Sequence, residues 1–286
     1  MPNRENSPVQ SKVWFITGAN RGLGAAITRA ALRAGHRVVA SGRDANLLQT
    51  AFKDEDAERL LTVELDVTSP TQIQLAIDAA LAQFSRIDVL VNNAGYGQLG
   101  QFEEICADAI QAQFATNVFG LMHVTRAVLP VMRKQRHGHL LNVSSIGGMA
   151  GFAGASVYCA SKFAVAGFSA SLALELEPFG IHVTSVLPGF FRTDFLDSTS
   201  VRYGDKVMGD YAAISSSLRT EFDSYNHNQP GDPSKLAEAL IAVVESPTPP
   251  THFVVGSDAV SMATDEMDRI RSDIDGWRSV SEDTAQ

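Results

Sequence analysis

At 286 residues, with 45% hydrophobic and 19% charged side chains, the chain has the size and composition of one large or two small globular domains with ample core. Its net charge of -9 argues against a generic surface for nucleic acid or anionic membrane. Two cysteines, Cys106 and Cys159, cannot build a disulfide framework and suit a reducing compartment.

The chain starts with a polar arm (residues 1–11) that lacks the apolar centre of a signal peptide. No run is seen to approach the 18 apolar residues of a membrane span, so the expectation is a cytoplasmic protein with no membrane partner. Val13-Trp14-Phe15-Ile16-Thr17 is an apolar run of strand length, followed by Gly18-Ala19-Asn20-Arg21-Gly22-Leu23-Gly24 and then alanines and aliphatics at helical spacing. Further strand-like runs lie at Arg37–Ser41, Leu61–Leu65, Val89–Asn92, His139–Val143, His182–Val186 and His252–Val255. Helical patterns at Pro70–Phe84, Ala107–Lys134, Val157–Glu177 and Pro233–Glu245 separate most of them. This alternation predicts βαβ units and one doubly wound parallel α/β sheet, the Rossmann arrangement, of about seven strands with helices on both faces. Ligands in such sheets bind beyond the carboxyl ends of the strands. No composition break marks a second domain, so one domain is expected over 12–278, with a frayed end from 279 to 286. The long stretch from Pro188 to Pro230 is rich in aromatic and aliphatic side chains and is expected to be a lid with short helices.

Strand, glycine-rich turn, helix is the context a dinucleotide fingerprint requires. Gly18 would allow the tight turn, Gly24 the close packing of helix on strand, and the bare N–H groups a pyrophosphate. At the end of the second strand an NAD site would place a carboxylate for the ribose 2′-hydroxyl. Here the chain reads Ala40-Ser41-Gly42-Arg43, with no acid until Asp44. Arg43 and Arg21 could each reach a 2′-phosphate through bidentate bonds, which favours NADP(H) over NAD(H).

Tyr158 and Lys162 are four residues apart and share one helix face. A phenol that exchanges a proton near neutrality starts from a pKa of about 10. A cation beside it favours the phenolate, and a facing hydroxyl can hold a substrate oxygen. Ser145 stands thirteen residues before Tyr158 at the end of a strand-like run; Ser144 is its rival, and the spacing favours Ser145. The seven histidines match no zinc spacing, so no metal is expected, and Gly-x-Ser-x-Gly is absent.

Thr17-Gly18-x3-Gly22-x-Gly24, Asn92-Asn93-Ala94-Gly95, Asn117, Ser145, Tyr158-x3-Lys162 and Pro188-Gly189 occur in this order, and over residues 12 to 260 the chain resembles the short-chain dehydrogenase/reductase family. The spacing of the glycines is similar to its compact single-domain branch, and Arg43 and the Phe253–Ala259 ending to the 17β-hydroxysteroid and retinol dehydrogenase-like members. The resemblance implies Tyr158 as acid/base, Lys162 lowering its pKa and holding the nicotinamide ribose, and Ser145 binding the substrate carbonyl. It also implies that Asn117 anchors a water joining Lys162 to solvent. For the cofactor it implies Thr17, Gly18, Asn20, Arg21, Gly22, Leu23, Gly24, Ser41 and Arg43 at the turn and second strand. Asp66 and Val67 would bracket the adenine, Asn93, Ala94 and Gly95 would line the cofactor, and Pro188, Gly189 and Thr193 would close over the carboxamide. The substrate pocket is expected between Tyr96, Met149, Phe152, Phe190 and Phe191, walls suited to a small apolar ketone, aldehyde or alcohol. The implied reaction is reversible NADP(H)-dependent hydride transfer between a carbonyl and an alcohol, in a homodimer or homotetramer. The alternatives are a non-catalytic NADP(H)-binding regulator on the same fold and an NAD-dependent alcohol dehydrogenase.

Overall fold

The computed structural model describes residues 11–197 and 200–284. Seven strands form one sheet: β1 (Val13–Ile16), β2 (Arg37–Gly42), β3 (Leu60–Glu64), β4 (Val89–Asn92), β6 (Gly138–Val143), β7 (Ile181–Pro188) and β9 (His252–Val255). Their order is β3-β2-β1-β4-β6-β7-β9 and every neighbouring pair is parallel. The strand order reverses between β1 and β4, which leaves a crevice beyond their carboxyl ends.

The five strands between the edges β3 and β9 are buried on both faces, and side chains alternate between them. Trp14 and Ile16 point into one core with α1 (Gly22–Arg33) and α8 (Pro233–Glu245). Val13 and Phe15 point into the other with α3 (Pro70–Phe84), α5 (Leu121–Gln135) and α6 (Ser156–Leu176). Helix starts are set by side chains that accept orphan amide protons. Asp44 caps α2 (Ala45–Ala51), Ser69 caps α3 and Asp232 caps α8, the last two followed by a proline in the first turn.

Four expectations change. The pattern over Ala107–Lys134 is α4 (Ala107–Phe114), then a π-turn over Ala115–Gly120, then α5, because the wider turn re-spaces the chain around Asn117. The segment after Pro188 holds a strand, β8 (Val201–Tyr203), besides α7 (Ala212–Tyr225); β8 pairs in parallel with β5 (Gly97–Leu99) in a second small sheet. The last helix, α9, runs Ser257–Glu282, so residues 279–282 are helical where a frayed end was expected. Arg278 ties that turn down through Asp275 at 2.6 Å and Glu282 at 3.4 Å. The stretch Ser156–Phe179 is, by length and composition, apolar enough to cross a membrane, which the sequence reading missed. Its apolar positions are taken up by the fold, Val165, Leu172 and Leu176 being buried. The N-terminal arm, apart from Ser11, and residues 198 and 199 of the expected lid lie outside the described residues.

Candidate active site

The crevice opens on the turn between β1 and α1. Gly18 has φ +64°, a backbone geometry that costs other residues free energy. A Cβ on Gly24 would lie 2.3 Å from the Gly18 carbonyl oxygen and 2.7 Å from Asn93 Nδ2, so only glycine lets α1 pack this close to β1. Arg21, at the N-cap of α1, makes no side-chain capping bond, and the first turn carries no acid. Unclaimed amide protons at a positive helix end fit a phosphate, and the cradle therefore fits a dinucleotide.

Thr17 and Asn93 hold the turn rather than project from it. Thr17 Oγ1 accepts from the Asn93 and Ala94 amides, each at 3.0 Å, and Asn93 Nδ2 donates to the Thr17 and Gly18 carbonyls at 2.9 and 3.0 Å. Asn20 borders Gly42 at the end of β2, next to the exposed Arg43. Asp66 spends its carboxylate on Thr68, and the buried Val67 packs against the π-turn at Gly120, so Val67 can offer a nucleotide only its main chain. Ser41 is a correction. It is completely buried and donates to the Ile16 carbonyl at 3.0 Å, which leaves no hydroxyl for a cofactor.

One turn of α6 brings Tyr158 and Lys162 onto the face that meets the end of β6. Ser144, the rival serine, is buried and donates to the Lys162 carbonyl at 2.8 Å, so its hydroxyl is spent on packing α6. Ser145 is half-buried and accepts from Gly147 N at 3.0 Å, and it lies beside the Tyr158 ring, both coming within 3.4 Å of the place a Gly147 Cβ would occupy. Lys162 Nζ is 5.7 Å from the Tyr158 ring centroid and donates to the Val143 carbonyl at 2.9 Å. Burial pushes the Tyr158 phenol up to about 12, against the pull of Ser145, and pushes Lys162 down to about 8. Burial thus dominates the Tyr158 phenol, where the resemblance implied a lowering by Lys162.

Asn117 sits in the π-turn. Its Oδ1 accepts from the Tyr96 amide at 3.1 Å, while its Nδ2 donates to the Tyr96 carbonyl at 3.0 Å and to Ser161 Oγ at 3.3 Å. One amide therefore joins the segment after β4 to the helix that carries Tyr158 and Lys162. Buried Gln113 repeats the clamp, donating to the Tyr96 carbonyl at 2.8 Å and accepting from Gln98 N. It was not foreseen, because its partners are set by the fold.

The pocket wall is aromatic. Phe152 meets Phe190 edge-on at 6.5 Å, Phe190 meets Tyr225 at 5.1 Å, and Phe195 leans on Tyr158 at 5.7 Å. Met149 packs with Phe152 on the first turns of α9. Phe195 and Tyr225 come from the segment after Pro188 and were missed as site residues. Two expected wall residues stand elsewhere. Phe191 is buried in the core with α1 and α8 because its main chain bridges Gly231. Tyr96 lies under the Arg202 guanidinium, 4.8 Å from its ring centroid, with its hydroxyl buried and without a partner. Gly189 is anchored to Val255, Phe190 N donates to Asp258 at 2.7 Å, and Thr193 Cβ comes within 3.5 Å of the place a Gly22 Cβ would occupy. The chain beyond Pro188 thus arches from the pocket to the glycine turn. Among the described residues no cluster of His, Cys, Asp or Glu could hold a metal.

A dinucleotide cradle at the crevice of a doubly wound sheet, with a paired serine and tyrosine beside a buried lysine, defines a nucleotide-dependent oxidoreductase. The family model for short chain dehydrogenases matches residues 12–203. The chain is 38% identical over 273 residues to the oxidoreductase BOA17 of Botryotinia fuckeliana, covering 95% of this chain and 98% of that one. It is 35% identical over 249 residues to the 3-ketodihydrosphingosine reductase of Bacteroides thetaiotaomicron, covering 87% and 89%. A short-chain dehydrogenase structure from Streptomyces avermitilis superposes with a TM-score of 0.88 at 37% identity, covering 96% of this chain and all of the other. The chain belongs to the short-chain dehydrogenase family and is an oxidoreductase of the kind that uses a nicotinamide cofactor.

Proposed function

We propose that the chain interconverts a carbonyl and an alcohol on an apolar substrate with NADP(H). The observation that carries this reading is the Ser145–Tyr158 pair, two hydroxyl side chains side by side between Lys162 and an aromatic wall. The cofactor, when bound, supplies or accepts the hydride. Thr17, Gly18, Arg21, Gly22, Gly24, Asn93, Ala94 and Gly95 would hold it, with Arg43 at the 2′-phosphate and Thr193 over the turn.

The chain's own groups do the rest. Burial keeps the Tyr158 phenol protonated, a weaker acid than a free tyrosine, yet it can still give its proton to a carbonyl oxygen that becomes an alkoxide, a stronger base than the phenolate. Ser145 donates to the same oxygen, so the developing charge meets two fixed donors. Lys162, with its ammonium weakened by burial, gives a route for replacing the proton, and the Asn117 clamp keeps α6 in register with the cofactor side. Phe152, Phe190, Phe195 and Tyr225 exclude water and favour an apolar substituent. The 3-ketodihydrosphingosine reductase among the relatives, named for a ketone on a long-chain molecule, is in keeping with this. The free thiols of Cys106 and Cys159 suit a reducing, cytoplasmic setting.

The test is initial rates of NADPH and NADH oxidation over a panel of apolar ketones and aldehydes, with Tyr158→Phe as control. NADPH-preferring turnover that the substitution abolishes is the expected result. Tight NADPH binding with no turnover of any carbonyl would sink the reading, and an NADH preference would remove Arg43 from the phosphate. Outward-facing Phe119, Phe163 and Leu174 on the π-turn and α6 support assembly into a homodimer or homotetramer, checked by light scattering.

A further inference from the structure

The last buried residue of α9 is Ala263; beyond it Glu266, its side chain 14% exposed, is still partly covered, and every residue from Met267 to Glu282 is exposed. Its outer part carries an apolar stripe, Met267, Ile270, Ile274 and Trp277, exposed by 52%, 45%, 56% and 66%. The spacing is 3-4-3, the a/d seam of a coiled coil, with the exposed Val260 one heptad earlier at a, while Ala263 at the next d is buried on the domain. Helices in proteins owe most of their stability to packing of an apolar face, and Gly276 weakens the outer turns of this one, so a partner on the seam would account for their persistence.

The flanking charges say which partner. With Met267 at a, the g positions are Glu266 and Asp273 and the e positions are Arg271 and Arg278. In a parallel, in-register pair each g side chain faces the e side chain five residues later on the other helix. That sets Glu266 against Arg271 and Asp273 against Arg278, acid on base at both heptads. An antiparallel pair would set acid on acid and base on base. The polar back of the helix, with Asp265, Asp268, Asp275 and Glu282, is acidic and suits no anionic lipid surface.

We infer that α9 docks on α9 of a second copy of this chain as a parallel, in-register coiled coil. Within one chain Glu266 and Asp273 now pair with Arg269, and Arg278 with Asp275 and Glu282. Apart from the partly covered Glu266 these groups are exposed, and their bonds exchange at little cost for bonds across the seam. The first turns of α9 pack against Met149 and Phe152 of the pocket, so the contact is continuous with the site's own scaffold. The inference does not depend on the proposed reaction.

The test uses the full chain with Cys106→Ser, cysteine 159 being buried. Ser281→Cys places a thiol at an a position, and Ser272→Cys places one at an outward f position as control. Parallel pairing predicts that the 281 variant cross-links at micromolar protein at least tenfold faster than the 272 variant. Glu266→Arg with Asp273→Arg should abolish that advantage and lower the solution mass by one association step. Adding Arg271→Glu and Arg278→Glu should restore both. Equal cross-linking at 281 and 272, or reversal without effect, would overturn the inference; failure of the fourfold swap to rescue would overturn the parallel register. Far-ultraviolet circular dichroism shows that each variant is folded, and light scattering reads the mass.

Discussion

Lys162 Nζ points at the Val143 carbonyl, 2.9 Å away, while lying only 5.7 Å from the centre of the Tyr158 ring. A buried ammonium is thereby fixed by the last residue of β6, within reach of the phenol, and without a carboxylate counterion.

Replacing Tyr158 by Phe removes the acidic proton and keeps the ring against Phe195. A fall in kcat of about 100- to 10,000-fold is expected, with NADPH affinity within a few-fold of the parent. Steady-state rates and cofactor fluorescence titration check this; a variant retaining a tenth of the activity would place the proton transfer elsewhere.

The pH dependence of stability follows from the same pair. Lys162 keeps its proton only up to about pH 8 when folded but up to 10.5 when unfolded, so between those values the unfolded chain binds more protons. Stability then rises with pH across that window, by roughly 2 kcal/mol from pH 8 to 10. Tyr158 acts oppositely: folded it keeps its proton to about 12, unfolded to 10, so above pH 10 it costs stability as pH rises. Lys162→Met should flatten the first trend in urea melts at pH 8, 9 and 10, relative to the parent.

Arg43 lies exposed at the end of β2 with the neighbouring Ser41 hydroxyl committed to the sheet. Losing a charge-assisted bond to phosphate costs about 1.5–3 kcal/mol, so Arg43→Ala should raise the NADPH KM by about 10- to 100-fold. The NADH KM should stay within twofold. Equal changes for both cofactors would show that Arg43 acts through the fold.

Gly24→Ala tests the cradle. The new methyl would strike the Gly18 carbonyl at 2.3 Å, and that atom belongs to backbone that cannot swing away. A destabilisation of about 1–3 kcal/mol is expected, seen as a lower melting temperature, together with loss of the stabilisation that NADPH gives the parent.

Buried Glu104 accepts from Met208 N at 3.3 Å and from Ser215 Oγ at 2.6 Å, and so ties the start of α7 to the turn before α4. Glu104→Ala should expose the segment around residues 204–225 to protease and raise the substrate KM. Urea unfolding followed by tryptophan fluorescence should move little, since Trp14 reports the sheet. Unchanged cleavage rates would show the anchor to be dispensable.

The seven sheet strands could be read from the sequence because each is a short, largely apolar run bounded by turns, and the five inner ones are buried on both faces. β5 and β8 could not: three residues each, paired across about a hundred positions, they exist only through the fold. The Tyr158–Lys162 face was legible as helical spacing, and Ser145 by its distance from Tyr158. Ser41 and Phe191 were misplaced by one side-chain direction, since neighbours on a strand or bend face opposite ways. Asp258, which holds Phe190 N from 68 positions away, left no local sign. The 3-4-3 stripe of α9 is present in the sequence, but a stripe that packs on its own domain reads the same as one left outside.

Helix α6 carries Tyr158 and Lys162 while burying Leu172 and Leu176 in the core beneath the sheet. Tyr158 and Lys162 therefore inherit the durability of the whole molecule, and amide exchange around them should be among the slowest in the chain. Most of the aromatic wall comes instead from the arch beyond Pro188, which is held by a few bonds to Glu104, Asp258 and Val255. Such a division lets substrate range drift under mutation of the arch while the reaction and the thermal tolerance are conserved.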